Sequence, residues 1–223
     1  MISEKTIELN LTTETINYAY TLTGRTHFAV GLTQKEEATY GVDVSIGGGL
    51  ALLLQYKRAH IQGNIWTWHL NRTKDQDQHL KLQTLESLGY PVYYALPYFS
   101  TLSDIQANRR KLLLKTFAIR PSTINPVPGP TGYHDIRYDS STGLFSVHSE
   151  PTALTTEPEW LKDIIEKELT QTEQINIGDF CMQYNKVVLG LEGGEPLSRD
   201  LNSDELEVFD VSRGAAIIGS EYV

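Results

Sequence analysis

The sequence predicts an α/β (α+β) fold in which a central mixed β-sheet is flanked by helices. Three observations predict it. An apolar hairpin runs from Val44 to Leu54 around Gly47-Gly48-Gly49, a strand–strand–helix–strand order continues from there to Phe99, and a second hairpin and a capped helix follow a proline-rich stretch. The 223 residues are 40% apolar and 21% charged, which suits one soluble domain with an appended lobe and a sizeable core. No run is long enough to span a membrane, and the N-terminus lacks a basic-then-apolar signal pattern. The single cysteine, Cys181, excludes an intrachain disulfide framework and a structural zinc set, so a cytoplasmic location is expected.

Taken in order, Met1 to Asn10 reads as a polar arm or short edge strand. Thr13 to Thr23 reads as a helix begun by Thr12 or Thr13, with Ile16, Tyr20 and Leu22 inward and Gly24 as its stop; its threonines also suit a strand. His27 to Leu32 is a strand. Thr33-Gln34-Lys35-Glu36 fits a capping box, which gives Glu36 a structural duty and leaves Glu37 free of one. Val44 and Ile46 are β-branched, and Leu50 to Leu54 is too short to need a helix, so both runs read as strands. Ile61 to His69 is a further strand or hairpin arm about Gly63-Asn64, with Trp66 and Trp68 packing on one face. Asp75 to Leu88 is a helix whose stripe is Gln78, Leu82, Leu85 and Leu88, ended by Gly89. Pro91 to Phe99 is an aromatic strand that stops at Pro97. Ser103 or Asp104 caps a helix through Thr116, with Ile105, Leu112 and Leu113 partly inward.

Pro121 to Gly132 holds four prolines and marks the lobe boundary. Tyr133 to His148 is a hairpin about Asp139-Ser140-Ser141. Neighbours in a strand point apart, so His134-Asp135 is not a catalytic pair. Thr156-Glu157-Pro158-Glu159 opens a helix to Leu169 with Leu161, Ile164, Ile165 and Leu169 inward. Phe180 to Leu191 is a strand or helix, and Val208 to Ile218 a closing hairpin.

The chemistry gathers on the first hairpin. Gln55 and Lys57 share one face of their strand while Tyr56 takes the other. Asp43 lies diagonal to Gln55 if the turn centres near Gly48, and directly opposite if it centres one residue later. A carboxylate and an amide oxygen are hard ligands suited to Mg²⁺ or Mn²⁺, and a lysine beside them can orient a water or neutralise a phosphate. The same three residues also read as an inert polar sheet edge.

Gly41-Val42-Asp43 followed by Leu54-Gln55-Tyr56-Lys57-Arg58 resembles the PD-(D/E)xK nuclease superfamily, closest to its Mrr-like restriction-endonuclease branch. The resemblance covers roughly residues 30 to 100. No proline precedes Asp43, and Gln55 stands where the family's second carboxylate usually sits. It implies a restriction-endonuclease-like core at 1–120; the proline-rich 121–134 then reads as a linker and the acidic 135–223 as a C-terminal α+β extension packed on that core. It implies a metal held by Asp43 and Gln55 with Glu37 from a preceding helix (Glu14 is the rival), Lys57 as the water-positioning residue, and Gln78 as an accessory polar group facing the site. Arg58, Arg72 and Lys74, with Gln78, would meet nucleic acid, DNA first, in a phage-defence or restriction setting. The alternative is the same fold without turnover, a binding module within a protein assembly.

Charge agrees with a divided surface. From Gln55 to Arg120 there are ten basic and four acidic residues, a local net of +6 within a chain of net charge −9. From Asp135 onward six basic face eighteen acidic residues, a net of −12, which repels a duplex and suits either a protein partner or mimicry of nucleic acid. A homodimer is compatible with the sequence.

Overall fold

The computed structural model describes residues 2–31, 42–47, 50, 52–70, 72–73, 76–124, 134–149 and 152–171, with 72–73, 76–77, 149, 152–155 and 171 described through the backbone alone. The capping box at Thr33–Glu36, the candidates Glu37 and Lys74, and the segments 180–191 and 208–218 lie outside these residues.

The chain begins with helix α1 (Glu4–Thr23), so the N-terminal arm read from the sequence is helical instead. Ser3 caps it by accepting the Thr6 N–H, and Gly24, at φ 66°, ends it as the sequence predicts. The buried stripe is Ile7, Leu11, Thr15 and Ala19, with Glu8 beside it; Tyr20 and Leu22, expected inward, are exposed. Thr15 on that stripe and the buried Glu8 beside it hide its period.

Strands β1 (Phe28–Gly31), β2 (Val44–Gly47) and β3 (Leu52–Tyr56) form an antiparallel meander. Gly47 is not a turn residue. It pairs with Phe28, and a Cβ there would come within 2.7 Å of the Phe28 ring, so the close approach demands glycine. β4 (Ala59–Gln62) and β5 (Ile65–Leu70) follow as a hairpin, its two-residue turn opened by Gly63 at φ 60°. After the short pair β6 (Arg72–Thr73) and β7 (Gln76–Asp77), helix α2 runs Gln78–Ser87 and stops at Gly89, φ 89°. The chain returns as β8 (Val92–Pro97), parallel to β3.

Helix α3 (Leu102–Ala107) is shorter than expected. Thr101 and Asp104 form its capping box, and Arg110, at φ 68°, stands in the left-handed region where a helix cannot continue. A 3₁₀ turn (Leu113–Lys115), strand β9 (Thr116–Ile119) and the one-turn helix α4 (Pro121–Ile124) complete this part. Beyond residue 133, β10 (His134–Asp139), β11 (Leu144–Ser149) and β12 (Thr152–Thr155) precede β13 (Glu159–Trp160) and helix α5 (Leu161–Gln171). α5 starts later than its sequence signal because Glu159 and Trp160 pair with β9, and Trp160 stacks on Phe117 at 4.3 Å.

The architecture is therefore α+β with two sheets. The mixed six-stranded sheet has the order β1-β2-β3-β8-β9-β13, and the antiparallel five-stranded sheet the order β12-β11-β10-β5-β4. The β4–β5 hairpin, inserted between β3 and α2, is joined by strands from beyond the proline-rich segment. Alternation along the strands divides the interior. Leu52, Leu54 and Tyr56 meet α1 and α5 on one face, with Ile7, Leu11, Leu161 and Ile164. Leu53, Val92 and Tyr94 face α2 and the second sheet, with Leu82, Leu85, Trp68 and Ile136. Core strands buried on both faces explain the unbroken apolar run at Leu50–Leu54. Among the described residues, no helix is long and apolar enough to cross a membrane.

Candidate functional site

The β2–β3 register pairs Val44 with Leu54, which extended by one residue places Asp43 directly opposite Gln55. The Asp43 N–H donates to the Leu54 carbonyl at 3.1 Å, and the carboxylate Oδ2 accepts from Gln55 Nε2 at 2.8 Å and from the Tyr56 N–H at 2.7 Å. β3 thus delivers its acid partner and its amide to one face, at the strand end that β8 brackets in parallel. Lys57 follows, held by its N–H to the Ala95 carbonyl at 3.1 Å.

α2 supplies the fourth member. Gln78 opens that helix and reaches both other heads: Lys57 Nζ donates to Gln78 Oε1 at 2.8 Å, and Gln78 Nε2 donates to Gln55 Oε1 at 2.8 Å. The result is a chain of hydrogen bonds, Lys57 to Gln78 to Gln55 to Asp43. An ammonium can only donate and a carboxylate can only accept. The two ends therefore dictate the orientation of both amides between them, since turning either one would oppose donor to donor. Gln55 and Lys57 are 3% and 5% exposed, while Asp43 and Gln78 are half-buried, so each link has at least one end withdrawn from water. Burial pushes the Lys57 pKa down, against the pull of Glu4 and Asp43 upward.

Helix α1 brings two acids near this end of β3. Glu4 Oε1 accepts the Arg58 N–H at 3.1 Å, and Glu8, buried, is bonded by Lys5 Nζ at 2.6 Å. Neither is among the residues the sequence nominates, because the polar pattern of Met1 to Asn10 suggests an arm rather than a helix. The available signal was Ser3 as a cap, with Glu8 three residues before Leu11 on the buried face. Glu14, the rival acid, is elsewhere: its carboxylate accepts the Leu113 N–H at 3.2 Å. No protein-family model, curated protein or solved structure matches this chain.

The other nominated residues distribute as follows. Gln78 is in the cluster, while His79 turns into the core, where its Nδ1 lies 2.9 Å from the Tyr94 hydroxyl. Arg58 is half-buried at the site's edge, its charge felt by His60. Arg72 lies on β6, paired with Asp77 through the backbone. Among the described residues, no group of three or more His, Cys, Asp or Glu side chains is arranged to hold a metal. Of the proposed ligand set, Asp43 and Gln55 meet, but Gln55 turns its nitrogen, not its oxygen, toward the carboxylate.

A second polar group lies on the outer face of the five-stranded sheet. His69, Asp135 and His148 stand directly opposite one another across β5, β10 and β11. Asp135 takes His69 Nδ1 at 2.6 Å and Arg137 Nη2 at 3.0 Å, while His148 Nε2 lies 2.7 Å from Ser146 Oγ. Burial raises the Asp135 pKa, but the His69 and Arg137 contacts outweigh it and hold the carboxyl below its ordinary value. His134 points the opposite way, into the interior.

Proposed function

We propose that this chain is a metal-dependent nuclease that hydrolyses phosphodiester bonds, with Asp43, Gln55 and Lys57 at its centre and Gln78 in support. The observation that carries the reading is the convergence of an acid, two amides and a buried lysine at the end of β3, on elements in the order α1-β1-β2-β3-α2-β8 once the strands β4 to β7 inserted between β3 and α2 are set aside. That order supports a restriction-endonuclease-like core. Arg58, with Arg72 and Lys74, would meet the phosphate backbone.

A bound Mg²⁺ or Mn²⁺ would supply Lewis acidity and a more acidic water, held by Asp43 and the Gln55 amide oxygen. The donor set is of the hard oxygen type that such ions take, and Glu37 would add a carboxylate. For Gln55 to offer its oxygen, its amide must rotate away from its present bonds. Gln78 is then released to face the substrate while Lys57 keeps a donor for the scissile phosphate. Lys57, its pKa lowered by burial, is suited to orient the attacking water and to stabilise charge as the new P–O bond forms and the old one breaks.

The test is cleavage of plasmid, linear duplex, single strands and RNA, with Mg²⁺ or Mn²⁺ and with chelator, beside Lys57→Ala. Cutting that needs the metal and disappears in Lys57→Ala is expected. Cutting indifferent to both would remove the enzyme reading.

A second reading has a specific observation in its favour. The Gln55 nitrogen occupies the carboxylate that a metal would use, which suits a nuclease-like binding module without turnover. Duplex binding without cleavage on any substrate, in either metal, would favour it.

A further inference from the structure

Away from the β3 end, a cavity of about 700 Å³ lies between the middle of α1 and the loop that follows α3. That volume is in the range that holds small ligands. Asn10 and Asn17 face it from α1, and Ile105, Leu112 and Leu113 form its apolar floor. Its rim is cationic: Arg109, Arg110 and Lys111 line it in succession, with Lys162 from α5. On a helix, three consecutive residues would fan apart. Here they sit on a turn, which lets all three border one space.

The turn is held in place from below. Lys111 N–H donates to the Asn108 carbonyl at 2.7 Å, Leu114 N–H to the Lys111 carbonyl at 3.1 Å, and Leu113 N–H to Glu14 Oε1 at 3.2 Å. Glu14 is the acid of the cavity, and its carboxylate is engaged by this backbone; burial raises its pKa. Lys162 is bonded to Glu166 at 2.6 Å. Arg109, Arg110 and Lys111 make no ion pair with any described residue.

Arg110 adds an independent indication. Among the described residues it is the one non-glycine at positive φ, 68°. A turn requiring that conformation is met most simply by glycine. Long-chain residues rarely adopt it, and such outliers gather at ligand sites. Arg109, Arg110 and Lys111 are all exposed, so this turn presents three cations without a described ion-pair partner at the mouth of the cavity.

We propose that this cavity is a binding site for a small polyanion carrying two or more phosphate groups, of the nucleoside di- or triphosphate or inorganic polyphosphate kind, gripped by Arg109, Arg110 and Lys111. Guanidinium forks match phosphate oxygens in pairs, and the asparagines of α1 can bond a sugar or base edge. The site is distinct from the β3 cluster: none of Asp43, Gln55, Lys57 or Gln78 lines it, and Asn10, its first residue on α1, is six residues beyond Glu4, roughly 9 Å along the axis. It is independent of the nuclease reading.

The experiment is calorimetric titration of the full chain with ATP, inorganic pyrophosphate, adenosine and a short duplex, at low and moderate salt. Two variants accompany it, Arg109→Ala/Lys111→Ala and Arg110→Gly. The glycine suits the local backbone, so that variant keeps the fold. ATP binding that weakens with salt, by about tenfold or more in each variant, is expected, with adenosine silent. Pyrophosphate binding as well as ATP assigns the phosphates as the whole determinant; ATP binding alone assigns a nucleotide. The proposal is overturned if neither binds at low salt, if adenosine equals ATP, if both variants bind as the parent does, or if duplex is the one ligand whose binding they reduce.

Discussion

The β3 cluster and the outer face of the second sheet are built from similar polar groups in opposite environments. Asp43, Gln55, Gln78 and Lys57 are linked end to end, with Gln55 and Lys57 almost wholly out of solvent. His69 and Arg137, which flank Asp135, have side chains 44% and 43% exposed. In the first place a missing bond leaves a desolvated Gln55 or Lys57 group; in the second, water can take over at His69 and Arg137, while the Asp135 side chain itself is 14% exposed. A histidine beside an aspartate is the louder signal in sequence, yet the quieter residues, two glutamines and a lysine, are the ones whose positions are tightly constrained.

The largest difference should appear on truncating the two acids. Asp43→Ala strips the acceptor from Gln55 Nε2 and from the Tyr56 N–H. We expect a loss of about 3 kcal/mol in urea unfolding. Asp135→Ala, whose partners are well exposed, should lose about 1 kcal/mol or less. Equal losses would break the comparison.

Next in size is Gln55→Glu. It removes the donor that Asp43 holds and sets a second negative charge beside it, which should cost about 2 kcal/mol without metal. Millimolar Mg²⁺ should then raise the melting midpoint of the variant more than that of the parent. If Mg²⁺ treats the two alike, the cation-binding role of this position is lost.

The two regions should also separate on the pH axis. Lys57 has a folded value below its ordinary 10.5. As pH rises toward 10.5 the folded state sheds this proton before the unfolded state does, so stability gains with pH in that window. The gain should vanish in Lys57→Met. Asp135 is shifted below its ordinary 3.8, so its contribution is present above 3.8 and fades as pH falls through its folded value. Asp135→Asn should remove that acid slope and leave the alkaline one. Urea midpoints across pH for the three proteins decide it.

The smallest expected effect lies outside both clusters and gives them a baseline. Arg110→Gly relieves a positive φ but adds freedom to the unfolded chain, so a net stabilisation of about 0.5 kcal/mol is expected in the same urea assay.

The hairpin was legible because β-branched residues and a short leucine run leave few choices, and the register that makes Asp43 and Gln55 opposite was one of two weighed. Gln78 was legible from its stripe, but the sense in which it links Lys57 to Gln55 was not, since hydrogen-bond direction depends on partners from three elements. α1 was misjudged where Glu8 and Thr15 occupy buried positions and disguise the helical period. The helix after Thr101 is shorter than its sequence pattern because nothing in Arg109-Arg110-Lys111 signals a left-handed residue. The pairing of β5 with β10 runs from Leu70 with His134 to Ile65 with Asp139, far apart in sequence, and is decided by packing that no local pattern encodes.

One-way hydrogen bonding at the β3 end has a practical consequence. The side-chain NH₂ groups of Gln55 and Gln78 are pinned between fixed charges, so their protons should exchange slowly with solvent and give resolved, well-separated resonances in nuclear magnetic resonance spectra. Any guest that turns Gln55 must disturb both pairs of signals together, whereas one that settles elsewhere leaves them still. The molecule thereby carries its own isotopically readable gauge of whether this spot has been entered, usable before any substrate is known.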